Sequence, residues 1–159
     1  APGKGTAFNV FFPATTEDAA ETSNVETTQV PRGTETILLV EDDKAICELT
    51  TEFLSSLGYS IIPASSGDEA LQKSSSQELP IDLLLTDVVM PGMNGKMLAD
   101  EICKARPSIK VIYMSGYTDD KLTDHGVIGQ SITLIEKPIR PEHLAVKVRS
   151  VLDSSVKKQ

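Results

Sequence analysis

The feature that most constrains this chain is a set of five short apolar runs, each ending in charged or small polar residues. Residues 37–40 run into Glu41-Asp42-Asp43, 59–63 form a second run, and 81–86 end at Asp87. Residues 109–114 run into Ser115-Gly116, and 132–135 into Glu136-Lys137-Pro138. Unbroken apolar runs this short predict strands buried on both faces rather than strands with one wet side. Between them the period changes to that of a helix. Ile46, Leu49, Phe53 and Leu57 recur at helical spacing over 45–57, and Gly58 closes that segment. A second helix starts at Ser66 or Gly67 and reaches about residue 77. A third carries Met97, Leu98, Ile102 and Ala105 on one side and stops at Pro107, and a short fourth covers 119–125. The last begins at Pro141, with Leu144, Val148, Val151 and Leu152 as its apolar stripe.

Strands and helices in strict alternation make βαβ units. The predicted fold class is α/β, a doubly wound five-stranded parallel sheet with helices on both faces and right-handed crossovers. Composition changes ahead of this pattern. Residues 14–34 are rich in Thr, Glu, Ser and Ala with almost no large apolar side chains, so they cannot bury enough surface to offset their ordering entropy and read as a flexible linker. The domain is expected over 35–155, with a tail at 156–159.

A formal net charge of −8 argues against nucleic acid as a partner, because phosphate backbones require a basic footprint. A cation or a basic patch on a partner protein suits the chain better. Cys47 and Cys103 fall in predicted helices with no CxxC and no histidine at metal spacing, and read as reduced, buried thiols of a cytoplasmic protein. No apolar run is long enough to span a bilayer, so no direct membrane contact is expected of these residues.

The polar residues that interrupt the strands share one location. In a parallel sheet, Glu41, Asp42, Asp87, Ser115 and Lys137 all lie at the carboxyl edge, where open α/β folds bind ligands. Two or three carboxylates gathered there repel each other, by about 3 kcal/mol per pair at ~5 Å and an effective dielectric of ~20. A proton or a cation must relieve this, and a hard ion such as Mg²⁺ (Mn²⁺ as a substitute) fits an all-oxygen site. With the charge neutralised, one carboxylate can attack phosphorus, while Lys137 and Ser115 bind phosphoryl oxygens.

Val40-Glu41-Asp42-Asp43, the run from Asp87 through Met90-Pro91-Gly92-Met93-Asn94-Gly95, Met114-Ser115-Gly116-Tyr117 and Glu136-Lys137-Pro138 together resemble the signatures of response-regulator receiver domains. The resemblance covers roughly residues 35–154. It implies a flavodoxin-like fold with Asp87 as phosphoacceptor. Asp42 and Asp87 would bind Mg²⁺ directly, with the backbone carbonyl of Val89, and Glu41 through water. Ser115 would be the switch hydroxyl and Lys137 the partner of a phosphoryl oxygen, followed by a cis Lys137–Pro138 bond. Gly116 would leave room for the phosphoryl group, and Val89 and Tyr117 would flank the site and limit water access, giving slow self-dephosphorylation. Family members commonly carry an aromatic residue three places before the lysine; here it is Leu134, which leaves the chemistry intact and the output route open.

Other readings compete residue by residue. Asp43 precedes a helix and reads as its cap. Pro91-Gly92 and Asn94-Gly95 are turn chemistry that shapes the loop beside Asp87, and Met90, Met93 and Met97 are packing residues. His125 and His143 lie outside any phosphotransfer context. A phosphatase on a similar sheet would carry a second acid two residues after the nucleophile, where this chain has Val89. A passive binding module would not need the intact acidic, Ser and Lys positions. Finally, residues 1–13, with Gly3-Lys4-Gly5 ahead of Phe8-Asn9-Val10-Phe11-Phe12-Pro13, resemble the last strand of the ATP-binding domain of sensor histidine kinases. That likeness implies the carboxyl-terminal part of a hybrid kinase. The donor would be its kinase core or another phosphohistidine, and a histidine-phosphotransfer protein the recipient.

Overall fold

The computed structural model describes residues 11, 30–75, 80–116 and 132–154. Five strands, β1 (Thr36–Val40), β2 (Ser60–Ala64), β3 (Leu83–Asp87), β4 (Lys110–Ser115) and β5 (Thr133–Glu136), form one sheet in the order β2-β1-β3-β4-β5. All four pairings are parallel, as the alternating pattern predicts. Four helices are described: α1 (Lys44–Ser56), α2 (Gly67–Ser74), α3 (Gly95–Ala105) and α4 (Pro141–Asp153). The helix expected over 119–125 lies outside the described residues, and the second helix, expected to reach about 77, ends at Ser74 with Ser75 as its cap. None of the described helices is long and apolar enough to cross a membrane.

The continuous apolar runs have a simple cause. Successive strand side chains point to opposite faces, and both faces here are covered. Leu38, Val40 and Leu84 join Ala70 of α2 and Leu98, Ala99 and Ile102 of α3 in one layer. Ile37, Leu39, Leu83, Leu85 and Met114 join Leu54 of α1 and Leu144, Ala145 and Val148 of α4 in the other. Each Leu, Ile, Val or Met side chain among them contributes about 1.5–3 kcal/mol on leaving water.

Helix ends follow local chemistry. Asp43 caps α1, its Oδ1 accepting from the amides of Ala45 (2.9 Å) and Ile46 (3.1 Å), as its position before the helix predicts. Leu57 follows α1 and Gly58 takes the left-handed conformation at φ 99°. Asn94 Oδ1 accepts from the Met97 amide at 2.9 Å to open α3. Pro141 stands in the first turn of α4.

Two helical faces differ from the sequence expectation. Leu49 is 67% exposed and Met97 54% exposed, although both fit an apolar stripe. On α3 the buried line is Leu98, Ala99 and Ile102, so Met97 and Ala105 fall outside it. Met90 is buried and Met93 packs against the α2–α3 layer, both as packing residues. Cys47 and Cys103 are free thiols, half-buried rather than fully enclosed.

Candidate functional site

Strand order decides which strand ends become neighbours. β1 and β3 pair side by side, Val40 opposite Thr86, so Glu41 and Asp42 emerge next to Asp87. The chain runs outward from β1 to β2 on one side and to β3, β4 and β5 on the other, which opens a crevice at the carboxyl ends of β1 and β3. Asp87 pairs with Met114 on β4, and Ser115 with Glu136 on β5. The Lys137 amide donates to the Ser115 carbonyl at 2.7 Å, which sets the lysine at the same edge.

Lys137 Nζ lies 2.7 Å from Glu41 Oε2 and 2.7 Å from Asp87 Oδ2. It bridges two carboxylates that are 96 and 50 residues away in sequence. The other Asp87 oxygen, Oδ1, accepts the Val89 amide at 3.2 Å, so the carboxylate is held at both ends. Glu41 is 1% exposed, Asp87 and Ser115 are buried, and Asp42 is exposed at the mouth. Burial pushes the Glu41 carboxyl above its ordinary range against the pull of Lys137. Burial alone would lower the Lys137 ammonium, but its hydrogen bonds to Asp87 and Glu41 prevail and hold it above its usual value.

Carboxylate oxygens of Glu41, Asp42 and Asp87 lie within 4.8 Å of one another. Among the described residues one ammonium faces these three acids, so it leaves two of their negative charges uncompensated when all three are ionised. Oxygen donors at this spacing, with one acid open to solvent, suit a hard divalent cation that retains water ligands. The donor set therefore fits Mg²⁺.

The remaining predicted positions divide. Val89 is half-buried beside Asp87, and the Lys137–Pro138 peptide is cis. A Cβ on Gly116 would meet only Lys137 Cβ, at 4.0 Å, so among the described residues this position has open space around it. Leu134 lies opposite Tyr113 of β4, and both belong to the α2–α3 layer. Burial pushes the Tyr113 phenol up to about 12. His143 is exposed on α4, while Tyr117 and His125 lie outside the described residues.

Gly95 lies closer to Asp87 than a reading as turn chemistry beside it foresees. It reads as the glycine of an Asn-Gly turn, yet only Gly58 and Gly92 have positive φ among the described residues. Gly95 is the first residue of α3, and a Cβ there would lie 2.0 Å from the Asp87 carbonyl oxygen. Close approach, not turn conformation, requires glycine. Nothing in the local sequence separates these two uses.

The family model described as response regulator receiver domain matches residues 37–149. The sensor kinase CckA of Brucella abortus (strain 2308) is 35% identical over 95% of this chain, which spans 17% of that kinase's length. Among solved structures, a CheY-like receiver domain protein from Methanospirillum hungatei JF-1 superimposes with a TM-score of 0.68 at 30% identity, covering 76% of this chain and 95% of that one. The receiver domain from the hybrid histidine kinase CckA gives 0.64 at 31% identity, covering 74% and 99%. With its parallel sheet and its acidic crevice bridged by a lysine, the chain belongs to the response regulator receiver domain family of two-component signalling.

Proposed function

We propose that Asp87 accepts a phosphoryl group from a phosphohistidine. The observation that carries this reading is the double grip on Asp87, with Val89 N–H on one oxygen and Lys137 Nζ on the other, inside a cluster with Glu41 and Asp42. An Asp87 carboxylate oxygen attacks phosphorus, the P–N bond to the donor imidazole breaks, and the imidazole leaves with the bonding electron pair. Asp87 then carries an acyl phosphate. Lys137 exchanges one carboxylate for a phosphoryl oxygen, and Ser115, at the end of the next strand, donates its hydroxyl to another. Domains of this family generally use Mg²⁺ held by acidic residues; here Asp42, Asp87 and the Val89 carbonyl would hold it, with Glu41 acting through water, and it would offset the charge gathered around phosphorus.

The partner in this reading is a histidine kinase core, with a histidine-phosphotransfer protein as a further recipient, all in the cytoplasm. The likeness to a sensor kinase extends over 95% of this chain, well beyond the matched residues 37–149, which supports an origin in a hybrid kinase with residues 1–13 as the end of its ATP-binding domain. The test is incorporation of acid-labile phosphate from acetyl phosphate and Mg²⁺. Wild-type chain should label and Asp87→Asn should not; equal labelling of the two would sink the proposal.

A further inference from the structure

The chain does not enter β1 as a free linker. Val30 is half-buried and packs against the layer covered by α1 and α4. The Gly33 amide donates to the Leu57 carbonyl at 3.2 Å, and the Ser60 amide to the Glu35 carbonyl at 3.0 Å. Gly33 lies close against the ring of Tyr59, itself 3% exposed: a Cβ there would stand 2.2 Å from Tyr59 Cε1 and 2.4 Å from Glu35 Oε2. From the other side, a Cβ on Gly58 would stand 2.5 Å from the Gly33 carbonyl oxygen. The Glu35 carboxylate is gripped by Arg149 of α4 in a two-point contact, Nη1 at 3.1 Å and Nη2 at 2.6 Å. Arg149 is steadied in turn by Asp153 at 2.8 Å. Planar, two-point arginine–carboxylate pairs hold geometry as well as charge.

We propose that residues 30–35 are a docked strap, an interface by which the chain upstream is fastened to the α1–β2–α4 side, so that the receiver begins at Val30 rather than at β1. Its seat is a groove that admits no side chain at Gly33, closed by an arginine that recognises one carboxylate. The occupant is the chain's own segment. Where it docks has a consequence for function. The strap enters at the amino end of β1, and Glu41 leaves from the other end, five residues and roughly 17 Å away. Residues 30–35 are thereby held at the end of the sheet opposite Asp87 and take no part in the phosphoacceptor crevice. This inference stands apart from the assignment of Asp87, since none of its contacts involves the crevice.

The test is native-state trypsin cleavage after Arg32, an exposed residue, in the 159-residue chain. Cleavage at a docked segment follows its opening equilibrium. The wild-type chain should be cut at least about tenfold more slowly than a free peptide of the same sequence. Gly33→Ala should recover most of that rate, and Arg149→Met a part of it. Wild-type cleavage at the peptide rate, or both variants cut like wild type, would overturn the proposal. If the variants fail to fold, hydrogen exchange of the wild-type Gly33 amide decides. Protection above about tenfold supports the strap, and exchange at the free-peptide rate overturns it.

Discussion

Replacing Gly95 by Ala separates two physical effects of opposite sign. By helix propensity alone the change should stabilise α3 by up to about 1 kcal/mol. The structure predicts the reverse. The new Cβ would stand 2.0 Å from the Asp87 carbonyl oxygen, 3.0 Å from its carbonyl carbon and 3.0 Å from Thr86 Oγ1. Atoms of this kind settle at about 3.5 Å, so the end of β3 and the start of α3 must separate by more than ~1 Å. Neither gives way easily: the Gly95 amide is bonded to the Val88 carbonyl at 3.0 Å, and Leu98, Ala99 and Ile102 are buried. The movement falls on Asp87, whose contact with the Val89 amide is already 3.2 Å long. Overpacking of this sort costs about 1–3 kcal/mol, and misplacing a reacting group by ~1 Å costs on the order of 100-fold in rate. The assay is phosphorylation by acetyl phosphate and Mg²⁺, with urea unfolding of the same samples. Gly67→Ala is the control for crowding at a helix start away from the Asp87 backbone, because there a Cβ meets Met93 Cβ at 2.9 Å and its Cγ and Sδ at 3.0 Å. The control should keep near-normal phosphorylation. A Gly95→Ala chain that is as stable as wild type and labels at the wild-type rate would refute the reasoning.

Lys137→Ala removes the only ammonium that contacts Glu41 and Asp87 among the described residues, and should slow phosphorylation by roughly 100-fold while Asp87 remains the labelled residue. Mg²⁺ at a hundredfold excess over its Kd should stabilise the domain by about 2.7 kcal/mol, a rise in Tm on the order of 10 °C, and most of this should vanish in Asp42→Asn. The Arg149 guanidinium holds the Glu35 carboxyl down at about 2, below its ordinary 4.5. Because the folded value is depressed, the stabilisation is fully present above the unfolded pKa and is lost as pH falls from about 4.5 through 2. Glu35→Gln should therefore cost about 1 kcal/mol at pH 7 after solvent screening, with the gap to wild type closing over that acid window in urea titrations.

Much of the architecture is legible in the sequence. Runs such as Ile37-Leu38-Leu39-Val40 announce strands covered on both faces, and Gly58, Pro107 and Pro141 mark helix ends through backbone rules that need no partner. The residues of the crevice were legible too, since a parallel sheet brings the end of every strand to one edge. Leu49 and Met97 mark the limit. Helical spacing says which residues share a face, but not which part of that face a neighbour covers, and both are exposed. Glu41 shows another: it becomes the most deeply buried acid of the cluster and Asp42 the exposed one, although the two are adjacent in sequence.

What the sequence determined by itself is the alternation of strand and helix and the identity of the polar strand ends, because backbone geometry imposes those periods locally. Only the tertiary structure decided that Lys137 bridges Glu41 and Asp87, that Gly95 is required by the Asp87 backbone, and that Gly33 lies on Tyr59 under the grip of Arg149 on Glu35. Each of these is a meeting of elements remote in the chain or packed back upon each other. Their separation is set by the filling of the two apolar layers, so no local pattern records it.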